Sequence, residues 1–342
     1  MKNLYEQLPA LLLPWYREHR RDLPWRKDRE PYHVWLSEIM LQQTRVEAVK
    51  GYYARFLDAL PTIRDLAEAP PEQLNKLWEG LGYYSRVRNL QKAARQIMEL
   101  HGGTFPTDYK AIRELAGIGD YTAGAVGSIC LELPTPAVDG NVLRVCSRLT
   151  ADFSPIDKPQ TKKDLTAALA EIYPQGHCGD FTQALMELGA TVCVPNGAPQ
   201  CDRCPLHAIC QARIQGITEQ LPVKSPKKPR RQEEMTVFLL HCDGQYVLEK
   251  RPDKGLLAGL WQFPHVNGFL DAEAALAQVE AWGITPEELE RASEKVHIFT
   301  HVEWHMRGYF IRCTDCAATH TWGKPEDYAL PTAFRIFLED SI

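Results

Sequence analysis

The chain has 342 residues, 44% of them hydrophobic, and a formal net charge of −5. That length exceeds the usual size of one hydrophobic core, so two domains are expected. The apolar content excludes a disordered chain, and the mild acidity excludes a polyanion binder acting through a global positive field. The deficit is uneven: residues 1–216 carry 25 basic and 25 acidic side chains, whereas residues 217–342 carry 14 and 19. Any nucleic acid would therefore be held by local sites. No stretch reaches the roughly 18 apolar residues of a membrane span. The N-terminal LPALLLPW is too short for one and follows Glu6 rather than a basic leader. A soluble cytoplasmic protein without a membrane partner is expected.

From residue 4 to about 216, apolar residues recur at helical spacing, interrupted at Pro61-Thr62, Pro70-Pro71, Gly80-Leu81-Gly82 and His101-Gly102-Gly103. This half is expected to be all helical. In PYHVWLSEIMLQQTRVEAV, Glu38 lies among Trp35, Leu36, Ile39 and Met40. A carboxyl so placed tends to stay protonated and can act as a general acid, although a solvent-facing helical position has the same periodicity. Thr44-Arg45-Val46-Glu47 has the form of a capping box, which predicts a helix starting near Thr44 and leaves Gln42 and Gln43 at a break. LAGIGDYTAG, residues 115–124, reads as two helices joined by a glycine turn. Its successive N–H groups suit a phosphate, although such turns commonly serve packing alone. In PAVDGNVLRV, Asp139 precedes Gly140-Asn141 and a new helix, a place where aspartate is often only an N-cap.

Four of the ten cysteines, Cys193, Cys201, Cys204 and Cys210, form the pattern C-x7-C-x2-C-x5-C. Their crowding favours a metal or cluster site in a reducing compartment over disulfides. The spacing lacks the paired CxxC knuckles of zinc ribbons, which favours an iron-sulfur cluster over zinc. Arg203 in the same loop is placed to meet phosphate.

Residues 217–234, ITEQLPVKSPKKPRRQEE, read as a linker. Its basic residues Lys224, Lys227, Lys228, Arg230 and Arg231 fit a solvated tether as well as a phosphate contact. The period then changes. TVFLLHC, the turn pair Asp243-Gly244 and QYVLEK predict a β-hairpin, DAEAALAQVEAW a helix, and VHIFTHVEWHMRGYFIR strands. Residues 235–342 are thus expected to form a small mixed α/β domain, with Cys313 and Cys316 of its lone CxxC as buried thiols.

In order along the chain, LPWR, VWLSEIMLQQTRV, GLGYYSRVRNL, LAGIGDYTAG, VDGNVLRV, FTQALMELGA and the four-cysteine loop resemble the helix-hairpin-helix DNA glycosylases, and more narrowly the MutY family of adenine DNA glycosylases. The likeness runs from residue 4 to near the C-terminus. It implies a mainly α glycosylase domain over residues 1–216, with its hairpin at about 115–124 and a 4Fe-4S cluster on the loop 193–210. It implies a linker over 217–234 and a MutT-like, Nudix-fold domain over 235–342. The family excises adenine paired with 8-oxoguanine or guanine in double-stranded DNA, flipping the nucleotide into a pocket. A monomer is expected.

By motif match, Glu38 is the acid and Asp139 the carboxylate that stabilises the oxocarbenium ion or forms a transient adduct, with Asn141 orienting Asp139. Trp25, Arg26, Leu41, Val46 and Gln183 match residues around the adenine, and Gln43 and Tyr83 match residues that enter the duplex beside 8-oxoguanine. Gly117 and Gly119 match the phosphate-gripping glycines. Tyr121 stands where relatives resembling endonuclease III carry a lysine that forms a Schiff base, so strong strand cleavage is not expected. Phe299-Thr300-His301 matches the 8-oxoguanine recognition loop, with threonine for the commoner serine. The first cysteine spacing is x7 where x6 is usual, and Ala116 stands where proline is common. Leu276–Gly283 keeps only one carboxylate of the Nudix magnesium array, so hydrolysis of nucleotides there is not expected. The alternatives are an endonuclease III-like pyrimidine glycosylase and lyase, a non-catalytic iron-sulfur DNA-binding module, and a Nudix hydrolase.

Overall fold

The computed structural model describes residues 2–226, 229–314, 316 and 319–339. Lys227 and Lys228 of the basic stretch lie outside the described residues. By contact density the chain divides into two compact units. One comprises residues 1–68 and 89–226; the other comprises residues 69–88 and 227–342. Among the described residues no helix is long and apolar enough to cross a membrane.

The first unit is helical, as the 3.6-residue periodicity predicts, and shows no strand among its described residues. Its helix Leu8–His19 buries Leu8, Leu12, Leu13, Trp15 and Tyr16 in a core shared with Phe181, Leu185 and Leu188 of the helix Cys178–Thr191 and with Val142, Val145 and Leu149 of the helix Gly140–Thr150. Two of the helix starts are closed by aspartates. Asp108 accepts from the Ala111 amide at 3.0 Å, and Asp139 accepts from the Val142 amide at 2.8 Å. The predicted capping box does not form. The helix Val46–Ala59 is entered through Arg45 without a side-chain cap, the Thr44 hydroxyl turns to the Gln42 carbonyl at 3.4 Å, and Glu47 pairs with Lys50 at 2.8 Å. Gln43, held at φ 58°, turns the chain there. A lysine one turn on, i to i+3, offered Glu47 a charged partner in place of a neutral amide.

In the hairpin, the helix Tyr109–Arg113 is joined to the helix Asp120–Leu131 through Gly117, at φ +74°, and Gly119. A side chain at Gly117 would meet Asn89 Cβ at 2.6 Å, so close approach and left-handed backbone both demand glycine there. The expected linker is partly tied down. Arg148 Nε donates to the Thr218 and Leu221 carbonyls at 3.1 and 2.9 Å, and Ile156 N donates to the Val223 carbonyl at 3.0 Å. Arg231 already belongs to a strand.

The second unit holds a seven-stranded sheet: β1 (Arg231–Cys242), β2 (Gln245–Lys250), β3 (Trp261–Gln262), β4 (His265–Asn267), β5 (Pro286–Ile298), β6 (Val302–Cys313) and β7 (Thr321–Gly323). The order β3-β2-β1-β6-β5 has β1 and β6 parallel, β4 beside β1 and β7 beside β2. The predicted hairpin forms, with His241 opposite Tyr246 and Cys242 opposite Gln245. β5 starts ten residues before the predicted Val296, because its half-buried positions include Arg291, Ser293 and Lys295 and so show no apolar alternation. The unbroken apolar run of β1 follows from burial on both faces. Met235, Val237 and Leu239 join Phe334 and Phe337 on one side, while Phe238, Leu240 and Cys242 join Ala275 and Val279 of the helix Ala272–Ala281 on the other. Cys313 is buried, but Cys316 is exposed, contrary to expectation, because it lies beyond the end of β6.

Candidate active site

A cavity of about 680 Å³ opens in the helical unit, and Trp25, Arg26, Glu38, Leu41, Gln43, Val46, Tyr121, Asp139, Asn141 and Gln183 all line it. Ten residues singled out from separate sequence segments thus converge. Glu38 reaches the cavity from the helix Pro31–Met40, whose C-terminal half is buried almost all round, so the carboxyl is only 7% exposed. Burial pushes it up to about 7; the Tyr121 hydroxyl, which donates to Glu38 Oε2 at 2.5 Å, opposes that rise, and the charge of Asp139 adds to it. The phenol itself is raised well above its ordinary range, first by burial and then by the two carboxyls. Tyr121 is therefore a fixed donor, locked on the acid by the first turn of the helix Asp120–Leu131.

Asp139 combines both readings of its position, helix cap and cavity carboxyl. Burial raises its pKa, while donors oppose the rise: Val142 N to Oδ1 at 2.8 Å and Asn141 Nδ2 to Oδ2 at 2.7 Å. Both oxygens thus accept hydrogen bonds that offset part of the cost of burying the carboxylate. Asn141 is held in turn by Arg144, whose NH2 donates to Asn141 Oδ1 at 2.9 Å and to the Gly189 carbonyl at 2.8 Å, and whose Nε donates to the Cys193 carbonyl at 2.8 Å. A hydrogen-bonded chain therefore runs from Asp139 to the first cysteine. Gly189 makes room for it, since a Cβ there would lie 2.5 Å from Asn141 Cβ.

Two contributors escaped the sequence reading. Arg144 is one. The other is Glu187, fully buried on the cavity wall, one helical turn from Gln183. Burial disfavours its charge, but bonds from Arg21 Nε at 2.7 Å and Arg26 NH2 at 2.8 Å outweigh that cost and hold the carboxyl at about 2. The i, i+4 spacing of Gln183 and Glu187 on one helix face was the available signal; its arginine partners lie more than 160 residues away. Trp25, 7% exposed, packs edge-on against Tyr53 at 5.5 Å.

The four loop cysteines, Cys193, Cys201, Cys204 and Cys210, face one small cavity beside the buried Arg148 and carry no disulfide. Arg148 NH1 donates to Cys193 Sγ at 3.3 Å. Among the described residues no three His, Cys, Asp or Glu side chains converge as closely as one metal ion requires. Arg203 is exposed and bonded to Gln200 Oε1 at 2.9 Å.

The remaining predicted residues are not among those lining this cavity. Gly117 and Gly119 are exposed at the hairpin. Tyr83, Phe299, Thr300 and His301 line a second cavity of about 680 Å³, within the unit that contains the sheet. There Tyr83, half exposed and at φ 47°, shares a 2.7 Å hydrogen bond with Thr300 Oγ1. Gln43 and Tyr83 share left-handed backbone with four other non-glycine residues among those described, Glu132, Ala151, Asp243 and Leu257.

Residues 36–175 match the HhH-GPD superfamily base excision DNA repair protein family, and residues 236–340 match the NUDIX domain. The chain is 37% identical to the adenine DNA glycosylase of Homo sapiens over 87% of its own length and 65% of that protein's length. It is 34% identical to that of Rattus norvegicus over 96% and 77%, and 33% identical to that of Buchnera aphidicola (Acyrthosiphon pisum) over 91% and 87%. Among solved structures, a thermostable thymine-DNA glycosylase superposes with a TM-score of 0.57 at 28% identity, covering 62% of this chain and 98% of that one. An endonuclease III–DNA complex shares the fold with a TM-score of 0.52 at 24% identity, over 62% and 98%. With both halves matched and the relatives aligned along most of its length, the chain belongs to the adenine DNA glycosylase family.

Proposed function

We propose that this protein is a monofunctional DNA glycosylase that excises adenine paired with 8-oxoguanine or guanine. The observation that carries this reading is the pair of carboxyls in one cavity: Glu38, raised to about 7 by burial, and Asp139, with both oxygens bonded. Breaking the N-glycosidic bond sends its electron pair to the departing base and leaves positive charge on the sugar. One group must protonate the base and another must face the cation. Glu38 gives its proton to the adenine; Asp139 stabilises the oxocarbenium ion; water then adds to the sugar carbon and returns a proton to Glu38. Tyr121, donating to Glu38 Oε2, aims the acid and has no amine to form an imine. Trp25, Leu41 and Val46 wall the base, while Arg26 and Gln183 offer polar contacts.

The four cysteines suit a 4Fe-4S cluster: they face one cavity, and four thiolates are the usual ligand set of such a cluster. Bound there, the cluster would supply a covalent tie across the loop. Gly117 and Gly119 are assigned to a DNA phosphate. Gln43, Tyr83 and the loop Phe299-Thr300-His301 are assigned to the strand opposite the adenine. The protein is assigned as a monomer.

The test is incubation with duplexes carrying A opposite 8-oxoguanine, A opposite G, A opposite T, and oxidised pyrimidines, with and without alkali. Alkali-dependent cleavage of the first two alone is expected; excision of oxidised pyrimidines, or cleavage without alkali, contradicts the reading. Iron and sulfide analysis tests the cluster, and stoichiometric zinc without sulfide refutes it.

A further inference from the structure

Residues 69–88 lie in sequence within the helical half, yet they pack with the sheet-containing unit. Their contacts with it are polar and specific. Glu79, with its side chain only 12% exposed, receives Arg335 of the short helix Thr332–Arg335 and, at 2.9 Å, Lys76. Arg88 NH1 donates to the Ala258 carbonyl at 2.9 Å. The turn between these anchors is itself stiff: Arg86 NH2 donates to the Leu81 carbonyl at 2.8 Å and Trp78 Nε1 to the Gly82 carbonyl at 3.0 Å. At its end the strained Tyr83 meets Thr300.

We infer that the Glu79–Arg335 pair is a positioning clamp that sets the Tyr83 and Thr300 hydroxyls in one register and so determines how strongly the enzyme prefers 8-oxoguanine over guanine opposite the adenine. The inference rests on the assignment of Tyr83 and Thr300 to the strand opposite the adenine. Neither Glu79 nor Arg335 lines either large cavity. Their action is indirect: a nearly buried carboxylate that loses its arginine keeps only Lys76, one turn away on its own segment, so the tie from this turn to the helix Thr332–Arg335 is lost and the turn shifts.

The experiment is single-turnover adenine excision by the full-length protein on A:8-oxoguanine and A:G duplexes, comparing wild type with Arg335→Ala, Glu79→Gln, Arg335→Lys and Tyr83→Ala. Arg335→Ala and Glu79→Gln are each expected to lower the ratio of the two efficiencies about tenfold. The rate on A:G should stay within about twofold, and Arg335→Lys should recover most of the ratio. A general loss of folding would depress both duplexes together and would count against the clamp; the nearly isosteric Glu79→Gln guards against an Arg335→Ala variant that does not fold. If Tyr83→Ala lowers the ratio while Arg335→Ala and Glu79→Gln keep it, the clamp is refuted and the lesion-side assignment stands. If wild type shows no preference, or Tyr83→Ala keeps it, the assignment fails and the inference falls with it.

Discussion

Glu38 shows how one position can be tuned by its surroundings. With its folded pKa near 7 against an ordinary 4.5, the native state binds a proton that the unfolded chain releases between those values. The stability this confers is therefore complete below about pH 4.5 and is lost as the pH rises through about 7, a swing of roughly 3 kcal/mol by linkage. Glu38→Gln removes the ionisation and keeps an oxygen to accept from Tyr121. The variant is expected to melt with the wild type near pH 5 and clearly above it at pH 8, with excision abolished at both. A wild-type protein whose stability relative to the variant stays constant across that range would show that Glu38 is not raised. The same protonation makes wild-type turnover fall as the pH rises through about 7. Part of this was legible in sequence, because the apolar residues Trp35, Leu36, Ile39 and Met40 mark the helix that carries Glu38 as a buried one. Glu187 was not, because what makes its burial tolerable is an ion pair with Arg21 and Arg26, and no local pattern encodes a partner that distant.

Elements with similar sequence signals separate once their packing is known. Gly117 and Gly119 read alike as turn glycines, yet Gly117 sits at φ +74° against Asn89, while Gly119 is an N-cap at φ −96° with open space around it. Gly117→Ala forces both left-handed strain and a shift of Asn89, so a loss of about 1–3 kcal/mol is expected in denaturant unfolding. Gly119→Ala should lie within several tenths of a kcal/mol of wild type; comparable losses for the two variants would mean that the hairpin is not held as described. The capping-box failure has the same lesson. Thr44 and Glu47 had the right types and spacing, but Lys50 and the Gln43 turn competed for them locally. Conversely, the β1–β2 hairpin formed where Asp243-Gly244 predicted it, since a two-residue turn with both residues at positive φ leaves little choice of register.

At the scale of the molecule, the periodicities show helix giving way to sheet, but they do not show that residues 69–88 group with the chain that follows residue 226. That grouping depends on contacts such as Glu72–Lys250 and Glu79–Arg335, between charged residues that no local sequence pattern links. It makes a prediction about cooperativity. Amides that open together share a free energy of opening and a dependence on denaturant. In native-state hydrogen exchange of the intact protein, peptides from 69–88 are expected to open with those from β1 and β6, whereas peptides from 31–59 and 120–150 open as a separate group. The two groups need not differ in stability for the test to work, because addition of a duplex carrying an abasic product should shift them by different amounts. If 69–88 instead follows 31–59 through the denaturant series, that segment is energetically part of the helical unit. Its polar contacts with the sheet-bearing chain would then be too weak to hold Tyr83 in register with Thr300. A shared opening with β6 would mean that an element encoded inside the glycosylase half is stabilised by, and moves with, the residues assigned to reading the opposite base.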